Sequence, residues 1–251
     1  MNEVEMLLDE LNIISETGRA FQVKPSRRSF SIPVESRRLI HEECKGDSTD
    51  LVAQLGNPIT RNNFRLLYCD SWLNDEIING YMDLINRRDL ILSESRSCYA
   101  FNSFFFEVFS KSGYRRVAKW TTQANVDIFS LDKLLFPLNQ NYHWVLAAVN
   151  FVKKRFELYD SLGAAFDLSV LSLLEIWLKQ ESLDKRKIDY STEDWTRVQI
   201  ECPRQKNAID CGVFVCQFAE RLSVDQEFDF QQSDIPAIRQ MMAMEILETR
   251  L

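Results

Sequence analysis

Residues 143–151 read HWVLAAVNF and residues 155–162 read RFELYDSL. In the first stretch apolar side chains fall on both faces of an extended chain, with Trp144, Leu146 and Ala148 on one and Val145, Ala147 and Val149 on the other. Such a strand has no side to turn to water, so it lies inside a sheet with helices over it. Lys153 and Lys154 separate it from the second stretch, a short polar break that predicts a hairpin. KLLFPL (133–138) reads as a strand before the pair, and WTRVQIEC (195–202) as another after it.

Helical patterns flank these strands. DSWLNDEIINGYMDLINRR (70–88) opens with the capping types Asp70 and Ser71 and sets Asp75 and Glu76 where a helix N-terminus favours anions. It then repeats Ile77, Tyr81, Leu84 and Ile85 at helical spacing. FNSFFFEVFSKSG (101–113) reads as a buried helix, with a strand left open by its aromatic content. Further helices are expected over 167–184, 211–223 and 234–250. The class is α+β.

At 251 residues, 45% hydrophobic, the chain can bury a substantial core. Its net charge of −7 argues against a general affinity for nucleic acid or anionic membrane. MNEVEMLLDELNIIS (1–15) is acidic and lacks the order of a signal peptide, and no apolar run approaches a bilayer span, so a soluble intracellular protein is expected. The six cysteines are accordingly read as thiols. Residues 1–50, a short helix candidate followed by a polar stretch with two Arg-Arg pairs, read as an arm or linker; residues 51–251 read as the main domain. The arginine pairs suit a solvated cluster better than an import signal.

ECPRQKNAIDCGVFVC (201–216) sets a polar loop against an apolar helix and places Cys211 at the junction. A helix begun near Asp210 puts Phe214, Val215, Phe218 and Leu222 on one stripe and Gln217, Glu220 and Arg221 opposite. Cys211 tops the apolar stripe in the first turn, where unpaired amides and the helix dipole lower a thiol pKa from about 8.5 toward 3.5–7.5. A buried cysteine is also a common small hydrophobe, so the reading turns on a base. Of the two histidines, His41 lies among charges in the arm, whereas His143 stands at the mouth of the buried strand. It reads either as a polar rim residue or as a base. Asp160, returning on the second arm of the hairpin, comes back near His143 if the register holds; a slip of one residue would turn it away. Gln205, in the loop before Cys211, reads either as solvated or, with the Cys211 amide, as an oxyanion donor.

These segments together resemble the ubiquitin-like-protein-specific (SUMO or sentrin-specific) cysteine proteases. The resemblance runs from about residue 58 to the C-terminus through ITRNNFRLLYCDSWLNDEIINGYM, FNSFFFEVF, VDIFSLDKLLFPL, HWVLAAVNFVKKRFELYDSLG, CPRQKNAIDCGVFVC and IPAIRQMMAMEIL. It implies a papain-like fold, with a central mixed or antiparallel sheet flanked by helices and the nucleophile at a helix N-terminus. It implies Cys211 as nucleophile, His143 as base then acid, Asp160 as orienter and Gln205 as oxyanion donor. It further implies Trp72 and Trp144 as walls of a tunnel for the modifier's Gly-Gly tail, and Asp75 as partner of a basic residue on the modifier. Glycine, lacking a side chain, is the residue two flat rings can admit while excluding others. Arg204, Ala208 with Ile209, and Val145 depart from the common family pattern without touching the catalytic set.

The expected activity is a thiol isopeptidase and endopeptidase cleaving after the Gly-Gly of SUMO-like modifiers. The alternatives are a protease for another ubiquitin-like modifier, an acyltransferase on the same framework, and a noncatalytic modifier-binding module. No cofactor is required, and no cysteine or histidine spacing suits a metal. The expected partners are the modifier and its conjugates, with the chain a monomer and no membrane span; the expected address is the nucleus or nuclear envelope, with the cytoplasm as the alternative.

Overall fold

The computed structural model describes residues 30–92, 97–163 and 168–251; the N-terminal helix candidate and the Arg27-Arg28 pair lie outside them. From the N-terminal side come α1 (Val34–Glu43), a hairpin of β1 (Leu51–Gln54) and β2 (Pro58–Thr60), α2 (Arg61–Tyr68) and α3 (Asp75–Leu92). Then follow β3 (Cys98–Ala100), α4 (Phe104–Ser112) and the short helices α5 (Tyr114–Val117) and α6 (Trp120–Gln123). β4 (Lys133–Gln140), β5 (His143–Asn150) and β6 (Arg155–Tyr159) form the centre, followed by α7 (Ser169–Arg186), β7 (Thr196–Gln199), α8 (Cys211–Ser223) and α9 (Ile235–Glu248).

The central sheet has the order β3-β4-β5-β6-β7. Its middle strands β4, β5 and β6 are antiparallel, while β3 and β7 join the two sides in parallel, so the sheet is mixed. β5 is the hub. Trp144, Leu146 and Ala148 enter one core with Phe214, Phe218, Tyr81 and Met242, drawn from α8, α3 and α9. Val145, Ala147 and Val149 enter a second core with Phe101, Phe105, Phe136 and Trp177, on the side of α4 and α7. The alternation of one strand thus divides the domain into three layers. Pro137 is tolerated in β4 because β3 pairs only as far as Leu135, leaving the proline with one strand neighbour.

Several expectations shift in detail. The 101–113 segment is helical from Phe104, while Phe101 still donates its amide to the Leu135 carbonyl at the edge of the sheet. α3 is capped by Asn74, whose Oδ1 accepts the Ile77 amide, rather than by Asp70 or Ser71. β1, β2 and β3 are too short to leave a periodic signal. The helix α8 is buried all round: Gln217, Glu220 and Arg221, placed opposite the apolar stripe, are each under a tenth exposed. They are accommodated by polar partners, Gln217 by the Tyr81 hydroxyl, Glu220 by Arg88 and Arg221 by Asp229.

Residues 34–50, grouped by composition with the arm, pack on the body. Ile40 is fully buried, and α1 lies against α2 and α9. Two arginines of α2 collect the turn that follows α1: Arg61 donates to the Glu43 and Asp47 carbonyls, and Arg65 to those of Cys44 and Gly46. Gly46, at φ +107°, supplies the left-handed residue of that turn.

Trp177 is fully buried and meets Phe101, Phe105 and Phe136 edge-on at 5.0–5.6 Å between ring centroids. Its indole N–H finds no acceptor among the described residues. Trp177→Ala is therefore expected to cost about 3–5 kcal/mol, as large-to-small core substitutions do, whereas Trp177→Phe retains the ring packing and removes an unpaired donor. Urea denaturation checks this: equal losses for the two variants would contradict the aromatic cluster as the source of stability.

Candidate active site

A two-residue turn through Asn141 and Tyr142, both at positive φ, carries β4 into β5 and sets His143 at the start of the strand. β6 returns with Leu146 opposite Tyr159. Continuing that register puts residue 162 opposite His143 and leaves Asp160 two residues along on the same face, a diagonal that long side chains span. His143 Nε2 and Asp160 Oδ1 are 2.6 Å apart. With Nε2 committed to Asp160, Nδ1 is the ring nitrogen left free to serve a second group, and Cys211 is near enough to act on the imidazole.

Asp160 is buried, and its Oδ1 also accepts the Leu162 amide at 2.9 Å. Its second oxygen meets no donor among the described residues, so the charge is directed mainly at the imidazole. Burial pushes this carboxyl up, yet the His143 hydrogen bond, the Leu162 amide and nearby Arg204 together hold it below its usual value. For His143 burial pulls downward, but the hydrogen bonds to Asp160 and Cys211 and their charges lift it to about 9. The imidazole is thus protonated at neutral pH.

Cys211 is the first residue of α8 and only 3% exposed. Gly212 follows because α8 presses on the Trp72–Ile78 region: a Cβ there would stand 3.0 Å from Leu73 Cβ. Cys216, wholly buried in the same helix, has its thiol pushed well above the normal range by desolvation. Gln205 is buried and fixed at both ends of its amide: Oε1 accepts from Ser161 Oγ at 2.5 Å, and Nε2 donates to the Asn207 carbonyl at 2.6 Å. One N–H of Nε2 is left for another acceptor. The loop is stitched to the Asp160 turn by a second bond, from the Gln205 amide to the Ser161 carbonyl.

Arg204 has a defined place. Its Nη1 donates to the Asp160 carbonyl at 3.0 Å, beside the Cys202 thiol, which approaches the same oxygen at 3.4 Å. The guanidinium occupies the space over Gly163, at φ +69°, where a Cβ would lie 1.5 Å from Nη1. Burial raises the Cys202 thiol to about 11 and keeps it protonated.

Sequence reasoning missed the group immediately before the cysteine. Asp210, at the N-cap position of α8, makes no side-chain cap. Its Oδ1 instead accepts from Arg239 Nη2 and Nε at 2.7 and 3.2 Å, and its Oδ2 from Asn207 Nδ2 and Gln232 Nε2 at 2.6 and 2.8 Å. Although burial raises it, these donors, Arg239 first among them, hold its carboxyl below the usual range. The available signal was Arg239 itself, a cation on the stripe formed by Ile235, Ile238, Met242 and Ile246.

Trp144 is buried and donates its indole N–H to the Leu73 carbonyl at 3.2 Å, whereas Trp72, half exposed, donates to the Ala208 carbonyl at 2.9 Å. Trp144 is thereby tied to the 72–75 segment, and Trp72, within that segment, to the 205–210 loop. Asp75, at the start of α3, lines a cleft of about 500 Å³ with Trp144, Phe104, Glu107 and Lys111. Among the described residues no cluster of His, Cys, Asp and Glu is arranged for a metal, and no helix is long and apolar enough to cross a membrane.

The comparisons with known proteins agree with this architecture. Residues 71–251 match the Ulp1 protease family, C-terminal catalytic domain. A sentrin-specific protease of Caenorhabditis elegans is 41% identical over 181 residues, covering 72% of this chain and 26% of its own length. A structure of the SUMO protease Ulp1, its catalytic cysteine oxidised to a sulfinic acid, superposes with a TM-score of 0.78 at 28% identity, covering 87% of this chain and 96% of that one. The C-terminal Ulp1 protease domain in complex with Smt3, the yeast orthologue of SUMO, superposes at 0.76 with the same identity and coverage. The chain spans about a quarter to a third of the length of the curated relatives it matches. The matched region begins one residue before Trp72 and runs to the last residue, taking in every side chain of the sheet end and helix tip assembled above, and the chain belongs to the Ulp1 protease family.

Proposed function

We propose that this chain is a thiol protease that cleaves after the C-terminal Gly-Gly of a SUMO-like modifier, both in precursors and in conjugates to lysine. The observation that carries the reading is the buried Asp160 carboxylate 2.6 Å from His143 Nε2, with Cys211, the first residue of α8, close enough to act on the same imidazole. Family membership and the Smt3 complex of a similar domain support the substrate class.

In this reading the proton of Cys211 resides on His143, and the sulfur attacks the carbonyl carbon of the terminal glycine. Negative charge collects on the carbonyl oxygen, toward the Cys211 backbone amide and the remaining Gln205 Nε2 hydrogen. His143 gives its proton to the departing amine, leaving a thioester between Cys211 and the glycine. Water, deprotonated by His143, attacks the thioester, and the returned proton regenerates the thiol pair. Trp72 and Trp144 hold the tail between their rings, and Asp75 meets a basic residue of the modifier. No cofactor enters the scheme. The same kinship supports an intracellular setting, with the nucleus or nuclear envelope as the proposed address.

Incubation with SUMO and ubiquitin forms bearing a C-terminal vinyl sulfone tests this directly. A covalent adduct with SUMO alone, absent in Cys211→Ser, is expected; labelling that survives the substitution removes Cys211 from its role.

The pH profile provides a second test. Because His143 must carry a proton for the leaving amine, kcat/KM is expected to fall as pH rises through about 9. Asp160→Asn removes the charge that lifts the imidazole, so this alkaline limb should move to lower pH, with kcat/KM at neutral pH reduced by about 10²–10⁴-fold. An unmoved limb would show that Asp160 does not set the histidine.

A further inference from the structure

Asp210 occupies the position from which an aspartate ordinarily accepts the first-turn amides of a helix. Here all its acceptor directions are taken by Arg239, Asn207 and Gln232, so α8 begins with no side chain on its amides. Arg239 is itself 4% exposed and has further tasks. Nη1 donates to the Leu66 carbonyl at 2.9 Å and to Cys69 at 3.4 Å, and Nη2 donates to Ser71 at 2.8 Å as well as to Asp210. One guanidinium from α9 therefore grips the segment leading to Trp72 and the residue preceding Cys211. Gln232 extends the grip, because its Oε1 accepts the Lys206 amide at 2.7 Å while its Nε2 reaches Asp210.

We infer that Arg239 is a positioning residue for the cysteine: it draws the Asp210 carboxylate off the tip of α8, leaving the tip amides to the sulfur and the developing oxyanion, and holds the Trp72 segment in register with that tip. The inference rests on the reading of Cys211 as nucleophile. Two consequences are separable because guanidinium and ammonium differ. A lysine can neutralise Asp210, but its compact head cannot serve three carbonyls on a second segment. A methionine fills similar space and does neither, so Asp210 turns back to the amides or stays as an unpaired charge beside the sulfur.

The test uses the full chain with Arg239→Lys, Arg239→Met and the double variant Arg239→Met with Asp210→Ala. The pH dependence of Cys211 alkylation by iodoacetamide is read by mass spectrometry of the Cys211 peptide, and steady-state cleavage of a SUMO precursor is measured alongside. Arg239→Lys is expected to keep the alkylation profile while raising KM. Arg239→Met is expected to move the profile to higher pH and lower kcat by about 10²-fold, the scale of a misplaced reacting group. The double variant, lacking the stray carboxylate, is expected to return the profile toward wild type. A role in packing alone predicts the opposite, with the double variant no better than the single. Identical profiles in all variants, or a double variant no better than Arg239→Met, would overturn the inference. If wild type cleaves no SUMO precursor yet the profile still moves and recovers, the positioning role stands and the substrate reading falls. Should Arg239→Met fail to fold, the split between KM and alkylation in Arg239→Lys decides: a profile displaced together with KM overturns it.

Discussion

Burial of β5 on both faces is the constraint from which the rest follows. A strand that presents tryptophan, leucine and alanine on one side and valine and alanine on the other must be covered twice, and each cover brings its own helices. On one side the cover is α8, so the strand that begins with His143 and the helix that begins with Cys211 belong to one packing problem. Hydrophobic burial thus brings the helix tip with Cys211 and the strand mouth with His143 to the same end of the sheet, before any polar contact refines their placement.

The hairpin supplies the next level of precision. The pairing of β5 with β6 has period two, so an offset of a single residue would exchange the faces of every side chain in it. The apolar residues of both strands fix the offset, and the position of Asp160 comes with it. This explains how a carboxylate just beyond a strand end can be buried with one oxygen unpaired: the register places it there, and the oxygen that is paired is shared between the imidazole and the Leu162 amide.

Legibility in the sequence followed the range of the interactions. His143, Asp160 and the start of α8 were readable because each depends on local periodicity, and the hairpin register does bring His143 and Asp160 into hydrogen-bonding distance. The burial of the polar side of α8 was not legible because projection on a wheel cannot know that other elements close over it, with Arg88, Tyr81 and Asp229 as polar partners. The packed segment 34–50 was hidden for a related reason: one buried side chain, Ile40, anchors its helix, and Arg61 and Arg65 hold the following turn by its carbonyls, so little hydrophobic pattern is left to read. Asp210 and Arg239 lie far apart in the chain, and only the anomaly of a cation on an apolar stripe marks the pair.

The turn after Asp160 carries a consequence for how such a chain can change over generations. Arg204 fills the room above Gly163 that a methyl group would claim, and its hydrogen bond anchors the backbone of the aspartate. A side chain at 163 would push the guanidinium off the aspartate backbone, and losing the arginine would not free the position, because the left-handed backbone there still disfavours a side chain. The glycine is thus held by two independent constraints, and a lineage that shed one would still answer to the other.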